Sequence, residues 1–471
     1  MMNWIMSAIF FFGLAVGAAA QNYGPALASL GGLSADVKVP GVSRAEAVDG
    51  PAAGPENPAP PKEWTVMIFM NGSNNLSPYF RGDLRAIANF GETPDVNVAA
   101  EFSLMTGEKA SVTRRVRLLE TQAGQPRAEV YETWENRDMG DWRNAADFVR
   151  WAKASFPARR YMLIIQNHGG GFLDQTYKPK GDSKGISYDE VSGNYIKTPE
   201  LARLLRETGP VDMLVMNACE MQMAEVAYEL GPDAGVILAS EELDRAVFFQ
   251  YGERLSYLAA NPGQGTEAIA AAYVEMRRLL VQPGNEVNFG YNTSTYTYTV
   301  TKDIANTLSA LRASELAELP AALDAWTGAV MAAGERDAVV YGVGSTVRLG
   351  VLKASDQSFS QFTDLRDFVR RVTRGSADPA VKAAAEVLYA RLKRLVIANA
   401  AVNFNLSEVD YSRAISGVSI KMIPLAPVSL AAINPHLDVI TDTRYEDLRL
   451  SRDSRWDEFL AWAGQLYYQP R

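Results

Sequence analysis

The chain has 471 residues, a formal net charge of −9, a hydrophobic share of 47% and a charged share of 21%. At roughly 150 residues per domain this length predicts about three domains, and the composition is that of a globular protein, which excludes global disorder. The acidic excess argues against a general binder of nucleic acid or anionic membranes, because such a protein needs a basic surface.

Three scarce residues carry more information. The sequence holds one cysteine, Cys219, and two histidines, His168 and His436. One cysteine excludes an intramolecular disulfide and the zinc and iron–sulfur sites that need several cysteines, and two histidines exclude a three-histidine zinc centre. His436 follows an Asn-Pro pair and is interpreted as a loop residue.

The N-terminus begins with an apolar run at residues 4–20 that ends in small residues. Ala18 and Ala20 fit the cleavage pattern of a secretory signal, so we predict that residues 1–20 direct export and are removed after Ala20. The protein is then secreted or lies in the periplasm or cell envelope. An uncleaved anchor is the alternative, because about 18 apolar residues nearly span a bilayer. Residues 21–62 are rich in Pro, Ala and Gly and predict a linker or pro-segment.

Buried strands and amphipathic helices alternate from Trp64 onward. Continuous apolar runs, typical of strands covered on both faces of a parallel sheet, predict strands at 64–70, 96–105, 161–166, 211–216 and 235–240. Helical spacing predicts helices at 141–152, from an N-cap at Thr198 to Gly209, and from near Glu220 to residue 230. This alternation indicates an α/β fold with a mostly parallel sheet.

After residue 275 the patterns are weaker. Alternating polar and aromatic residues predict an exposed or edge strand at 291–300. Helical spacing recurs near 303–331 and 358–398, and a strand at 417–423 and a terminal helix at 456–462 are predicted.

His168 and Cys219 each lie just past the carboxyl end of a predicted buried strand, where open parallel sheets bind their ligands. Their separation of 51 residues is close to that of caspase-type peptidases. Cys219 is the candidate nucleophile and His168 its general base, and a helix beginning near Glu220 would favour the thiolate. A lone Cys or His is more often structural, but the paired placement favours catalysis.

The glycine run after His168 lets backbone N–H groups approach a substrate carbonyl. The backbone N–H groups of Gly169 and Cys219 are the candidates for an oxyanion hole. No acidic residue that would orient His168 is evident, so a Cys–His dyad is predicted. The polar run Asn71–Asn75 is interpreted as a turn rather than a cation site.

At these motifs the sequence resembles the clostripain family of cysteine peptidases, relatives of caspases, gingipains and legumains. The resemblance covers residues 63–465. Its main segments are WTVMIFMNGSNNL (64–76), NHGGGF (167–172), NACEMQMAEVAYEL (217–230) and ASEEL (239–243). It implies catalytic roles for His168 and Cys219, and a caspase-like three-layer α/β sandwich at 63–275 with an α+β region at 276–471 packed on it. Family members cut after Arg or Lys, are often processed proteolytically, and in some cases need calcium. No other cofactor is expected.

The sequence departs from the family at its expected pocket, which we assign to Asn217, Ser240 and Val247. The family has Asp where Asn217 stands, and an acidic residue near Val247. Loss of a buried carboxylate removes the partner of a basic substrate side chain, so we predict a neutral P1 side chain rather than Arg or Lys. Self-cleavage in the loop 174–190 is then not expected at its lysines, which are Lys178, Lys180 and Lys184.

These observations predict an exported cysteine endopeptidase that acts on peptides through a thioester acyl-enzyme. It is expected to be a monomer and to bind neither nucleic acid nor, apart from the signal segment, membrane. One alternative is a binding or scaffold protein that keeps the fold without activity. The other is a transpeptidase or ligase that uses the same acyl-enzyme.

Overall fold

The computed structural model describes residues 61–122, 125–172, 175–176, 185–350, 360–405, 408–426, 440–441 and 445–468. The predicted signal segment, residues 21–60 of the predicted linker, His436 and the three loop lysines lie outside the described residues. None of the described helices is long and apolar enough to cross a bilayer.

Strands and helices alternate through the first half of the chain and mix less regularly in the second. The strands are β1 (Lys62–Gly72), β2 (Val96–Gly107), β3 (Ala110–Gln122), β4 (Gln125–Glu135), β5 (Ala158–Gln166), β6 (Gln175–Thr176), β7 (Ile186–Asp189), β8 (Asn194–Ile196), β9 (Val211–Asn217), β10 (Ala234–Ala239), β11 (Glu286–Tyr291), β12 (Ser294–Thr299), β13 (Asn306–Arg312), β14 (Phe362–Asp364), β15 (Val396–Val402), β16 (Ser419–Lys421) and β17 (Ile440–Thr441). The helices are α1 (Ser77–Phe90), α2 (Trp142–Ser155), α3 (Thr198–Thr208), α4 (Ala224–Leu230), α5 (Tyr251–Ala260), α6 (Thr266–Leu280), α7 (Leu319–Ala333), α8 (Arg336–Ser345), α9 (Leu365–Gly375), α10 (Pro379–Leu395), α11 (Tyr411–Ala414), α12 (Arg449–Asp453) and α13 (Trp456–Tyr468).

Nine strands form one central sheet in the order β15-β13-β10-β9-β5-β1-β2-β3-β4. The five strands from β10 to β2 pair in parallel, and antiparallel strands extend the sheet on both sides. The central strands are nearly continuous apolar runs because helices cover both of their faces. The predicted mostly parallel α/β sheet is confirmed.

Alternate residues of β1 point into two separate cores. Val66 and Ile68 pack with helices α1, α5 and α6 on one face of the sheet. Met67 and Phe69 face a core built from α2, α3 and α4 together with the later helices α7 to α10 and α13. Helix, sheet and helix layers therefore make the three-layer sandwich.

The second half differs from its sequence prediction in several places. The stretch predicted as helical near 303–331 begins with β13, a buried strand that pairs antiparallel with β10. Apolar spacing alone does not separate a short buried strand from a turn of helix. The exposed strand predicted at 291–300 is present as β12, which forms a hairpin with β11. The region 358–398, predicted as helical, contains the strand β14 before α9 and α10.

Two smaller points concern boundaries. The N-cap predicted at Thr198 is occupied by Lys197, whose backbone N–H donates to Glu200 Oε2 at 3.1 Å. Both β13 and β15 come from the region after residue 275, so the central sheet continues across the predicted boundary at that residue.

Candidate active site

The site lies at the carboxyl edge of two neighbouring parallel strands. Strands β5 and β9 are in register, with Gln166 opposite Asn217. The loops that carry His168 and Cys219 therefore begin side by side, and each residue comes two positions after its strand ends. The backbone N–H of Asn167 donates to the carbonyl oxygen of Asn217 at 3.3 Å, which ties the two loops together where they leave the sheet.

Gly169 brings the two loops into backbone contact. A Cβ at this position would lie 3.0 Å from the backbone nitrogen of Cys219 and closer still to its carbonyl oxygen. Gly171 has φ 63°, a left-handed conformation that favours glycine, and lies against Met223. Glycines in this run thus let the histidine loop pack directly on the cysteine loop.

His168 is held by a residue that the sequence analysis did not identify. Its Nε2 lies 2.7 Å from Oδ1 of Asn75. An amide oxygen only accepts, so Nε2 donates and the lone pair of the neutral ring is on Nδ1. The ring is partly buried, and this burial lowers the pKa of His168 to about 4. The imidazole is therefore neutral at neutral pH and able to accept a proton.

Cys219 is half-buried, and its Sγ accepts a hydrogen bond from the backbone N–H of Asp244 at 3.3 Å. The predicted helix near Glu220 is wrong, because α4 begins only at Ala224. Glu220 has φ 60°, and its N–H donates to the carbonyl oxygen of Glu242 at 3.2 Å, which directs the chain away from a helix. Hydrogen bonding at the sulfur comes from this neighbouring turn rather than from a helix N-terminus.

The Asn-rich loop after β1 supports the site from the other side. Asn71 Nδ2 donates to the carbonyl oxygen of Ser187 at 2.9 Å, and Asn74 Nδ2 donates to that of Tyr188 at 2.7 Å. The side-chain oxygens of both asparagines accept backbone N–H groups two residues further on, as in Asx turns. Among the described residues there is no group of three or more His, Cys, Asp or Glu that could hold a metal ion.

A family model described as "Clostripain family" matches residues 68–462. The chain is a member of the clostripain family of cysteine peptidases. It is 25% identical over 231 residues to clostripain from Hathewaya histolytica, and this match covers 43% of each chain. The matched part of this chain thus spans less than half the length of that relative.

Solved structures share the clostripain-family fold. One is an inactive zymogen of a C11 protease from Parabacteroides distasonis, with 20% identity and a TM-score of 0.60, covering 84% of this chain and 99% of that one. Another is a secreted C11 cysteine protease from Bacteroides thetaiotaomicron bound to an irreversible peptide inhibitor, with 18% identity, the same TM-score and the same coverage. The predicted family and fold are confirmed.

The three pocket residues predicted for this clostripain-family chain have different surroundings. Asn217 is buried, its Nδ2 donates to the hydroxyl of Tyr251 at 3.1 Å, and its Oδ1 accepts from Arg254 at 3.3 Å. Val247 packs against the cluster around Phe248.

Ser240 is fully buried. Its hydroxyl donates to the carbonyl oxygen of Glu242 at 2.9 Å and lies 2.8 Å from the hydroxyl of Thr307. Thr307 Oγ1 also accepts the N–H groups of Glu241 and Glu242, both at 3.0 Å. The Ser240 side chain therefore supports the turn that holds Cys219.

Proposed function

We propose that this chain is an exported endopeptidase in which Cys219 is the nucleophile and His168 the general base. The contact between the two loops at Gly169, with His168 already bound by Asn75, is the observation that carries the proposal. The predicted signal segment with cleavage after Ala20 supplies the route out of the cell. We expect a monomeric enzyme that needs no cofactor, with calcium dependence as the one family property to test.

The neutral histidine defines the first step. The Cys219 thiol gives its proton to Nδ1 of His168 as the sulfur attacks the substrate carbonyl carbon. The N–H groups of Gly169 and Cys219 stabilise the oxyanion that forms. The imidazolium then returns the proton to the leaving amine, and a thioester remains. Water attacks this thioester with His168 again accepting the proton, which releases the carboxylate product and the free thiol.

Asn75 acts as a positioning residue in this scheme. By accepting from Nε2 it fixes the ring orientation and keeps the lone pair on Nδ1. The dyad predicted from the sequence is thus better described as Cys219 and His168 supported by an amide.

The pocket is proposed not to accept Arg or Lys at P1. Asn217 supplies an amide where the family has a carboxylate, and the guanidinium of Arg254 lies against that amide. A basic substrate side chain would meet a like charge there. Cleavage after the lysines in the loop 174–190 by the enzyme itself is accordingly not expected, and comparing the intact masses of wild type and Cys219→Ala tests this.

The deciding experiment is cleavage profiling of a diverse peptide library with the full chain, expressed with its own N-terminal segment, beside Cys219→Ala. Assays run with calcium, with a chelator and after limited proteolysis. Cleavage by wild type alone supports the proposal. No cleavage under any condition, together with slow alkylation of Cys219 near neutral pH, would favour a binding or scaffold protein. Peptide products joined end to end would identify a ligase.

A further inference from the structure

A buried positive charge lies directly beside Asn217. Arg254 on α5 is only 6% exposed, and its Nη1 donates to Asn217 Oδ1. Its guanidinium also lies 5.6 Å from the ring centroid of Tyr273. Within the described ranges no carboxylate forms an ion pair with Arg254. A buried guanidinium is unfavourable without a paired anion. The nearby carboxylate of Asp244, whose charge acts on Arg254, pairs with Arg277 instead, so Arg254 is able to bind a further anion.

A second arginine makes the surroundings more positive. Arg277 on α6 is fully buried and forms two hydrogen bonds with the carboxylate of Asp244, at 2.7 and 3.3 Å. That carboxylate is therefore already paired with Arg277. Burial, and after it the charge of Arg277, lower the pKa of Arg254 to about 10 against the opposing effect of the Asp244 charge, so Arg254 remains protonated at neutral pH.

The two arginines line a cavity of about 460 Å³. Its other walls include Phe248, Met276 and Leu280, and the exposed Glu253 also lines it. The cavity thus combines apolar walls and two arginines with one exposed carboxylate.

The cavity is linked to the nucleophile through two chains of contacts. Arg254 contacts Asn217, which precedes Cys219 by two residues. Arg277 holds Asp244, whose backbone N–H donates to Cys219 Sγ. Each arginine of the cavity therefore contacts a residue in one of the two segments that carry or hold Cys219.

We propose that this cavity binds the P1 side chain and that the side chain is a carboxylate, Asp or Glu, recognised by Arg254. This rests on the proposed peptidase function and replaces the neutral side chain predicted from the sequence with an acidic one. Asn217 fits this role because its amide orients the guanidinium without neutralising it. An aspartate at the same position would form an ion pair with Arg254 and remove the demand for an anionic substrate.

The test compares matched peptides that differ only in P1, Glu against Gln and Asp against Asn. We expect kcat/KM to favour the acid over its amide by about 10- to 100-fold, the range for hydrogen bonds to charged groups. Arg254→Gln should bring this ratio close to one. Asn217→Asp, which is nearly isosteric with the wild-type residue, should do the same. Arg278→Gln is the matched control, because Arg278 is an exposed arginine on the same helix as Arg277 and pairs with Glu275.

Each outcome decides one question. An acid-to-amide ratio that is high in wild type and in Arg278→Gln but falls in Arg254→Gln and Asn217→Asp supports the inference. If wild type cleaves the amide peptides with a ratio near one, or if both pocket variants keep the wild-type ratio, the inference is overturned while the peptidase function stands. If wild type cleaves none of the peptides, including a library with every P1 residue, the proposed function itself fails.

Discussion

The two sides of Cys219 are built in different ways. On the side of the reaction, His168, Asn75 and Gly169 are placed by loops at the ends of adjacent parallel strands, and the groups are neutral. On the side of the pocket, Arg254 and Arg277 reach in from helices under the sheet and carry buried charge. In the proposed mechanism, strand register positions the reacting groups, whereas side chains from the helices set the preference for substrate. The two sides meet at Asn217 and Asp244, each of which contacts one of the arginines.

The largest effect is expected from removing the nucleophile. Cys219→Ala should lower kcat by about 10⁴-fold or more, because nothing else on the reaction side can form a thioester. Hydrolysis of the best library peptide measures this, with thermal melting as the control for folding. If the variant retained cleavage within tenfold of wild type, Cys219 would not be the nucleophile.

Gly169→Ala is expected to have the next largest effect. The added methyl group would collide with the backbone of Cys219 and push the two loops apart. A displacement of about 1 Å costs about 100-fold in kcat/KM. Gly328→Ala on α7 is the matched control, because a Cβ there meets no atom within 4 Å. Equal activities of the two variants would show that loop contact does not set the geometry.

A third prediction concerns the turn that lies between the two sides. Glu242 is buried and accepts from the hydroxyl of Tyr411 at 2.5 Å and from the N–H of Gly350 at 2.9 Å. Burial raises the pKa of Glu242 to about 7. The folded state therefore holds a proton that the unfolded state has released, and stability present below about pH 4.5 is lost as pH rises through 7.

Since one pKa unit corresponds to about 1.4 kcal/mol, this group should lower the free energy of unfolding by about 2 kcal/mol between pH 5 and pH 8. Denaturant titrations at the two pH values measure the decline. Glu242→Gln should show a smaller decline than wild type. An equal decline in both proteins would assign the pH dependence to other groups.

The smallest effect is expected at Asn75. Asn75→Ala should lower kcat about tenfold, because the ring of His168 loses the acceptor that orients it. Asn75→Asp is more informative, since a carboxylate stabilises the imidazolium and raises the pKa of His168. Activity requires the neutral ring, so kcat/KM of wild type should fall only below about pH 4 to 5. In Asn75→Asp the fall of kcat/KM on the acidic side of the pH profile should begin at higher pH. If the pH of this fall did not change, the contact with Asn75 would not influence the pKa of His168.

The reaction side was largely predictable from the sequence, and the pocket side was not. Apolar runs that lead into His168 and Cys219 identify neighbouring parallel strands, and residues after such strands meet at one edge. The same logic could have found Asn75, because β1 lies next to β5, but its polar run was interpreted only as a turn. Arg254 lies 37 residues after Asn217 on an amphipathic helix, where nothing local distinguishes it from a solvated arginine.

Long-range pairing also explains the remaining errors. The apparent helix at Glu220 is replaced by a turn because residues 220–222 bond to residues 240–242, a contact that local spacing does not encode. Strand β13 was interpreted as helix for a similar reason, since its identity depends on pairing with β10 and β15.

The hydroxyl of Thr307 has a consequence for when the active site can be completed during synthesis of the chain. The turn at residues 240–242 is pinned by Thr307, which the ribosome adds 88 residues after Cys219. At synthesis rates of about 5 to 20 residues per second, roughly 4 to 18 s separate the two. During that interval the thiol exists, but the hydrogen bonds between Thr307 and the turn that supports it do not. A nascent chain that stalls or is degraded before Thr307 therefore contains Cys219 without the residue that completes its supporting turn.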